Sequence, residues 1–280
     1  MAERIKIEKN TISETLVLPL YGRAHCSRRY PDIFADPEAE RIMPLLDYNF
    51  GALRYKEFVL ITWAVRVRML CDRARAYLAH HPRATIVNLG CGADTSFARI
   101  DNGLCRFINL DLPEVIAARE RIVPRREREK NVAADAFDTS WLQHIDTPIS
   151  DGVFIISGGV LMYFEAERLK PLFNTLAQQL PGGGICFDGE SDFAVRRSNR
   201  ILERAGNTGA LVKFAVNDAS STFGGWSDRF ADIRIFDRMP ADIARAKSLP
   251  IIPKSILKMG FKKGLIKFVE IEFSRDGCEI

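Results

Sequence analysis

The most informative stretch of this sequence is Val87-Asn88-Leu89-Gly90-Cys91-Gly92-Ala93-Asp94-Thr95. It begins as the end of an apolar run typical of a buried strand and passes directly into a Gly-x-Gly turn. Because glycine has no Cβ, such a turn lets the backbone approach a nucleotide-like ligand closely. Gly90 and Gly92 could instead only shape a turn, but the flanking strand pattern favours a ligand site.

The turn lacks one residue that a dinucleotide site needs. A dinucleotide-binding turn has a third glycine, and this chain has Thr95 at that position. Without that glycine the following helix cannot pack closely enough on the strand beside a pyrophosphate. The sequence therefore disfavours NAD and favours a nucleotide-like ligand without a pyrophosphate.

Acidic residues follow the next two strand patterns. Asp111 comes directly after the pattern at 106–110, about 20 residues beyond the glycines, where a carboxylate can accept both ribose hydroxyls of an adenosine. Asp135 follows the third pattern and can accept from an adenine amino group, with Ala136 and Phe137 lining the ring. Asp111 could instead, or also, cap the next helix, and Asp135 could lie in a surface loop.

The remaining periodicity indicates the fold. Between residues 84 and 190, short apolar strand patterns alternate with amphipathic helical patterns. This alternation predicts an α/β, Rossmann-like fold with a mostly parallel sheet covered by helices on both faces. Two strongly alternating segments, 233–236 and 265–273, predict an antiparallel hairpin at the C-terminal edge of the sheet.

The chain divides into two parts of different character. Residues 1–83 carry helical periodicity and no convincing strand, so we expect a helical N-terminal extension before a core at 84–280. Within the core, an insertion at about 191–230 is expected to cover the substrate, because long loops over the rim of a sheet are often functional. Its aromatic residues Phe223 and Trp226 could equally pack in the core.

Composition excludes several classes of protein. The net charge of +4 is too small for a typical nucleic-acid binder, which carries a strong basic patch. The N-terminus has no apolar signal region, and no apolar run approaches the ~20 residues of a membrane span. The six cysteines are scattered, which indicates neither a disulfide framework nor a metal site. We therefore expect a cytoplasmic protein that binds neither nucleic acid nor membrane.

One basic segment leaves an alternative open. Residues 254–267 (KSILKMGFKKGLIK) contain five lysines and no acidic residue. They could attract an anionic partner or a membrane surface. A solvated helix leading to an edge strand is favoured, because lysine commonly protects strand edges.

Three ordered motifs stand out along the chain: VNLGCGADTSFAR at 87–99, NLDLPEVI at 109–116 and GVLMYF at 159–164. Shorter motifs lie nearer the N-terminus: Gly22-Arg23-Ala24, Asp36-Pro37-Glu38-Ala39 and Arg66-Val67-Arg68. Together they resemble the leucine carboxyl methyltransferase superfamily, and most of all its bacterial branch named after the tetracenomycin polyketide O-methyltransferase. The similarity covers roughly residues 11–190.

The resemblance implies a class I methyltransferase fold whose N-terminal helices cover the cofactor, S-adenosylmethionine, with S-adenosylhomocysteine as the product. It implies cofactor contacts for Gly90 and Gly92, a ribose contact for Asp111 and an adenine contact for Asp135. Arg66 would pair with the carboxylate of the methionine moiety, because a planar guanidinium binds a carboxylate bidentately. The alternative for Arg66 is a solvated helix face.

The chain departs from its relatives beside the reacting methyl. Relatives have a glutamate after the fourth strand, where this chain has Gly158. Gly158 would still line the cofactor, but its acidic partner must come from elsewhere, with Asp94 and Glu190 as candidates.

The expected function is O-methylation of a small molecule, polyketide-like or aromatic, at a carboxyl or phenolic oxygen. Tyr163, just after the fourth strand, is the candidate for positioning the acceptor. No histidine stands out as a base, which favours an acceptor that ionises readily. Alternatives are methylation of a protein or peptide C-terminal carboxylate, and cofactor binding without catalysis. The protein is expected to be a monomer or a homodimer.

Overall fold

The strand before the glycine turn lies at the centre of a large sheet. The computed structural model describes residues 4–7, 12–52, 55–204 and 211–275, and within these residues the sheet has seven strands. Two additional short strands pair only with each other. In chain order the strands are β1 (Ile5–Lys6), β2 (Leu46–Asp47), β3 (Thr85–Leu89), β4 (Arg106–Asp111), β5 (Glu129–Ala133), β6 (Val153–Ser157), β7 (Gly184–Gly189), β8 (Phe230–Phe236) and β9 (Lys267–Phe273).

The topology confirms the predicted α/β, Rossmann-like class. The strand order is β5-β4-β3-β6-β7-β9-β8, and β9 runs in the direction opposite to the other six strands. The predicted C-terminal hairpin is therefore present, with β8 at the edge and β9 between β8 and β7. The chain order reverses between β3 and β6, and open α/β sheets bind ligands at the carboxyl ends of the strands beside such a reversal.

Helices surround the sheet, and a local sequence signal marks the start of one of them, α2 (Pro37–Ile42). α2 begins after Asp36, whose carboxylate accepts a hydrogen bond from the Ala39 N–H at 3.0 Å, and Pro44 continues it as one 3₁₀ turn. No helix in the described part of the chain has both the length and the apolar composition that crossing a bilayer requires. The helices are α1 (Ile12–Arg29), α2 (Pro37–Ile42), α3 (Glu57–Leu78), α4 (Phe97–Ile100), α5 (Pro113–Ile122), α6 (Ala166–Gln179), α7 (Asp192–Arg204), α8 (Ala219–Phe223), α9 (Ala241–Arg245) and α10 (Ile251–Lys262).

The sheet is buried on both faces. Ile86 of β3 packs in one cluster with α3 and α10, whereas its neighbour Val87 packs in a second cluster with α6 and α8. Successive side chains of a strand point to opposite faces, so both faces need apolar residues. This explains why these strands read as continuous apolar runs in the sequence.

The N-terminal region is helical, but the expectation that it contains no strand is wrong. β1 and β2 pair in parallel, with Ile5 opposite Leu46. Strands of two residues are too short to show an alternating pattern. The N-terminal helices also share a core cluster with α5 of the sheet region, through Leu20 of α1 and Ile122 of α5 among others.

Candidate functional site

The glycine turn has a backbone that other residues would adopt only with strain. Gly90 and Gly92 have φ angles of 72° and 48°. The Gly90 N–H donates to the Leu110 carbonyl at 2.8 Å, which folds the turn back over the end of β4. A Cβ added to Gly90 would lie 2.3 Å from Cγ2 of Val160, in the loop after β6. The turn is therefore packed directly against the loop that follows the reversal in strand order.

We expect Gly90→Ala to lower the free energy of unfolding by more than the ~1–2 kcal/mol that left-handed backbone alone costs. Gly103→Ala is the matched control, because Gly103 also has positive φ (83°) and nothing lies within 4 Å of its Cβ position. Urea unfolding of both variants measures the difference. Adding Val160→Ala to the Gly90 variant should recover part of the loss, and equal losses in the two single variants would contradict the argument.

Two buried arginines hold the turn from opposite sides. Arg119 of α5 donates to the carbonyls of Gly92 at 2.9 Å and Asp94 at 2.6 Å. Arg23 of α1 donates to the Ala93 carbonyl at 2.7 Å. Both side chains are no more than 2% exposed, so solvent competes little for these bonds. The carbonyls of Gly92, Ala93 and Asp94 are thus tied to α1 and α5, while the Gly90 and Cys91 N–H groups both donate to the Leu110 carbonyl.

Thr95, the residue in place of the third glycine, belongs to a buried ion-pair network. Its hydroxyl donates to Asp36 at 2.9 Å and accepts from Arg23 at 2.7 Å. Arg23 also bonds Asp36 directly at 2.6 Å, and Arg99 lies 3.0 Å from the same carboxylate. The side chain that disfavours a dinucleotide therefore serves to anchor α1 and α2 beside the turn.

Asp111 lies at the end of β4 and faces the turn. Its Oδ2 accepts from the Gly92 N–H and its Oδ1 from the Leu112 N–H, both at 2.8 Å. Burial raises the pKa of Asp111, against the lowering effect of these two N–H donors. No side chain caps α5, so the capping alternative for Asp111 is wrong. The carboxylate is half-buried and can accept further hydrogen bonds, because each of its oxygens has more than one lone pair.

Asp135 and Ala136 lie at the end of β5, beside Asp111. The Ala134 N–H donates to the Asp111 carbonyl at 2.9 Å, which joins the two strand ends. Asp135 is exposed and accepts from the Phe137 N–H at 3.0 Å, while Ala136 is half-buried. Arg168 of α6 stacks over the Phe137 ring at 4.0 Å and lies 3.5 Å from Asp135.

Arg66 of α3 reaches across the end of β6. Its Nε pairs with Oδ2 of Asp188 at 2.7 Å, and Oδ1 of Asp188 accepts from the Gly159 N–H at 2.6 Å. Neither Nη atom of Arg66 bonds a described residue. A Cβ at Gly158 would lie 2.9 Å from a methyl of Leu70 and 3.4 Å from Cδ of Arg66. The close contact of a Cβ at Gly158 is therefore with Leu70. It is Gly159, with φ of 72°, that gives the guanidinium room, because a Cβ there would lie 2.5 Å from Nη1 of Arg66.

Tyr163 and Glu190 complete a group of polar side chains at the ends of β6 and β7. Glu190 accepts from the Ser198 hydroxyl of α7 at 3.0 Å. Burial raises the pKa of Glu190, Arg66 lowers it and Asp188 raises it. Tyr163 is 39% exposed as a residue. Partial desolvation of its hydroxyl raises its pKa, Arg66 lowers it, and Asp188 and Glu190 raise it. We call Arg66, Tyr163, Asp188, Glu190 and Ser198 the β6–β7 cluster.

The described residues of the segment expected to cover the substrate lie partly beside the β6–β7 cluster and partly in the hydrophobic core. Backbone N–H groups of Lys213 and Phe214 donate to the Met162 carbonyl, and that of Val216 donates to the Glu190 carbonyl at 2.8 Å. Residues 213–216 therefore run beside the β6–β7 cluster. Phe223 is fully buried and packs against Trp226 at 4.7 Å between ring centroids, so these aromatics fill the core, the alternative that the sequence left open.

Sequence reasoning missed Asp188 and named Asp94 as a candidate acidic partner. Asp94 accepts from Asn88 at 3.2 Å and from the Ser96 N–H at 2.6 Å, so its carboxylate stabilises the turn. Asp188 lies beside Gly159. It follows the apolar pattern at 184–187. The reasoning from strand ends that identified Asp111 and Asp135 would therefore have found Asp188 too.

The leucine carboxyl methyltransferase family model matches residues 17–177, more than half of the chain. The chain belongs to the leucine carboxyl methyltransferase family. This methyltransferase is also 27% identical, over 213 residues, to the tetracenomycin polyketide synthesis O-methyltransferase TcmP of Streptomyces glaucescens, covering 74% of this chain and 77% of the relative. The expected superfamily and branch are confirmed. The cofactor of this methyltransferase is S-adenosylmethionine.

A solved structure supports the fold of this methyltransferase. The plantazolicin methyltransferase BamL, solved with a triazolic substrate analogue and S-adenosylhomocysteine, matches with a TM-score of 0.50 at 10% identity. The match covers 94% of this chain and 98% of that one. The magnesium protoporphyrin IX methyltransferase of Synechocystis matches with a TM-score of 0.47 at 11% identity, covering 85% of this chain and 93% of that one.

Proposed function

We propose that this chain is an S-adenosylmethionine-dependent O-methyltransferase whose acceptor is a small molecule with an acidic hydroxyl group. The observation that carries the proposal is the β6–β7 cluster. It brings two carboxylates and a guanidinium together at the carboxyl ends of β6 and β7, and Tyr163 follows β6 in the loop that packs against the glycine turn. Ligands of open α/β sheets bind at this edge.

The residues around the turn suit the cofactor. Asp111 has a carboxylate that can accept from ribose hydroxyls, and Asp135 an exposed one beside Ala136 that can accept from an adenine amino group. Arg66 keeps both Nη donors for the methionine carboxylate, and Gly158 leaves no side chain in the way. When bound, S-adenosylmethionine supplies an electrophilic methyl group. We further propose that residues 1–83 cover this cofactor.

The β6–β7 cluster suits an acceptor that must lose a proton. A phenol has a pKa near 10 and stays protonated at neutral pH, so a base accelerates its reaction. Glu190 is the proposed base: it is ready to accept the hydroxyl proton at a carboxylate oxygen, and Ser198 fixes its orientation. Tyr163 is proposed to donate to the acceptor oxygen and hold it in line.

Asp188 is proposed to perform the task of the glutamate that relatives carry at the position of Gly158. It holds the Nε side of Arg66, which leaves the opposite edge of the guanidinium to the cofactor. Its second oxygen accepts a hydrogen bond from the Gly159 N–H. Asp188 therefore holds Arg66 in a fixed position relative to the loop after β6. A positioning role of this kind needs a short, buried carboxylate, and Asp188 is 7% exposed.

Two features of the comparisons bear on the acceptor. The TcmP relative is named as an O-methyltransferase of polyketide synthesis, which supports an aromatic, polyketide-like hydroxyl. The family itself is named for a carboxyl acceptor, which supports a carboxylate as a second candidate. A carboxylate is ionised at neutral pH and needs no base, so the two candidates differ in their dependence on Glu190.

Calorimetric titration tests the cofactor site. We expect micromolar binding of S-adenosylmethionine, no binding of NAD, and an affinity at least about 100-fold lower in Asp111→Ala, because two charge-assisted hydrogen bonds are lost. Asp146→Ala is the control, since this carboxylate is 62% exposed and pairs only with Lys130 in the described structure. Thermal unfolding checks that each variant is folded. Unchanged affinity in Asp111→Ala, or a preference for NAD, would refute the site.

A further inference from the structure

The outward face of α10 is aliphatic. Ile251 and Ile252 are 82% and 73% exposed, Met259 is 53% exposed and Ile256 is 43% exposed, whereas Leu257 on the other side is fully buried. The outward face of a helix in a globular protein is normally polar. Large aliphatic side chains grouped on one exposed face therefore indicate a contact surface.

The same face is basic. From 243 to 269 the chain has seven cationic residues and no acidic one. Lys258, Lys262 and Lys263 of this segment are exposed, and none of the three forms an ion pair within the described residues. Ile252, Ile256, Met259 and Lys263 are spaced four, three and four residues apart, so they lie along one stripe of the helix.

α7 continues this surface. The Ser191 N–H and hydroxyl donate to the carbonyls of Gly264 at 3.0 Å and Lys263 at 3.1 Å, and the Lys263 ammonium lies 5.7 Å from the centre of the Phe193 ring. Phe193 is 47% exposed. Arg197 and Arg200 follow it at helical spacing, are exposed, and have no ion-pair partner among the described residues. We call the α10 stripe and this α7 stripe the basic–aliphatic face.

We propose that the basic–aliphatic face docks on an anionic lipid surface. Aliphatic side chains can enter the headgroup–acyl boundary while the lysine and arginine stems extend their charges back to the lipid phosphates. The cations of the face match that negative surface, and a lipid surface needs no groove shaped for two convex helices. This interpretation replaces the expectation of a solvated helix, because the sequence did not reveal that the aliphatic residues of α10 point outward.

The docking face and the candidate site share a helix. Phe193 and Arg197 lie on the outer side of α7, while Ser198 on its inner side bonds Glu190 of the β6–β7 cluster. Docking would therefore place the β6–β7 cluster one helix away from the lipid surface. This part of the inference rests on the proposed function: an apolar acceptor dissolved in the membrane would then have a short path to the cluster.

Vesicle co-sedimentation of the full chain tests the proposal, with phosphatidylcholine vesicles compared with vesicles in which phosphatidylglycerol replaces part of the phosphatidylcholine. We expect binding to the anionic vesicles only, weakened by added salt. Ile256→Glu/Lys263→Glu should lower the partition coefficient by roughly tenfold or more. Leu104→Glu/Arg125→Glu changes the same residue classes and the same net charge near the amino ends of the strands, and should lower it by less than about threefold.

Three outcomes would overturn the proposal. One is the absence of binding to anionic vesicles by the wild-type chain, and another is an equal loss in the two double variants, which would reflect net charge alone. The third is a dimer, seen by analytical ultracentrifugation, that the face variant abolishes, because the face would then belong to a second copy. Calorimetry with S-adenosylmethionine, unchanged in both variants, verifies that they are folded.

Discussion

Glu190→Gln is expected to lower kcat for a phenolic acceptor by about 10²–10⁴-fold, the usual contribution of a general base. Glutamine preserves the size of the side chain and can still bond Ser198, but it cannot accept the acceptor proton. The affinity for S-adenosylmethionine should change far less than kcat. A radiolabelled methyl-transfer assay with a panel of acidic phenols provides the measurement.

The pH profile separates a base from a structural residue. Burial raises the pKa of Glu190, so the acidic limb of kcat/KM should lie above the usual carboxyl pKa of about 4.3. Activity should fall as the pH falls through that limb, because the protonated acid cannot accept a proton. The limb should be missing in the glutamine variant.

A control and a second acceptor class complete this test. Glu165→Gln alters a glutamate that is 60% exposed, and should retain wild-type kcat. With carboxylate acceptors, Glu190→Gln should lose little activity, because no proton has to be removed. Substantial turnover of phenols by the glutamine variant, with an unaltered pH profile, would eliminate Glu190 as the base.

Asp36→Asn is expected to lower the free energy of unfolding by about 3–5 kcal/mol, the usual cost of breaking a buried ion pair. The variant leaves the Arg23 guanidinium, 2% exposed, without its carboxylate, and Arg99 loses the same partner. Asparagine can still cap α2 and accept from Thr95. The decrease in the free energy of unfolding therefore measures the effect of removing the negative charge of Asp36. Urea unfolding at pH 7 measures it.

The same network predicts an acid dependence. Burial acts to raise the pKa of Asp36, but the charges of Arg23 and Arg99, with the Ala39 and Thr95 hydrogen bonds, hold it below its usual value. The pair therefore contributes its stability above the unfolded-state pKa of about 3.9, and loses it as the pH falls through the folded-state value. This acid-labile part should be absent in the asparagine variant.

Asp146→Asn serves as the comparison, because it removes an exposed pair with Lys130 and should cost no more than about 1 kcal/mol. If Asp36→Asn costs as little as Asp146→Asn, the buried network does not hold the N-terminal helices to the turn.

Local patterns predicted the parts of the fold that depend on local contacts. The apolar run predicted to end as a strand before Gly90 is β3 (Thr85–Leu89), and the pattern at 106–110 lies in β4 (Arg106–Asp111). The antiparallel partners β8 and β9 were predicted because alternation along a strand reports burial of one face. The position of Asp111 was predicted in a similar way, since a residue directly after a parallel strand must lie at the carboxyl end of the sheet, where ligands bind.

Contacts between distant segments were not predicted. Arg23 bonds the turn across 70 residues and Arg119 across 27, and neither arginine differs in its local pattern from a surface residue. α10 is apolar on its inner and outer sides alike, so periodicity could not say which residues would be exposed. The pairing of Arg66 with Asp188 depends on how α3 crosses the sheet, which no short stretch of sequence specifies.

The bond from Arg23 to the Ala93 carbonyl has a consequence for how the enzyme responds to its cofactor. α1, α2 and the glycine turn form one cooperative unit through Arg23, Asp36 and Thr95. A ligand that binds the folded turn therefore adds its binding free energy to the stability of the N-terminal helices, by thermodynamic linkage. With the cofactor at this turn, as proposed, we expect substitutions that loosen α1 or α2 to weaken cofactor binding as well.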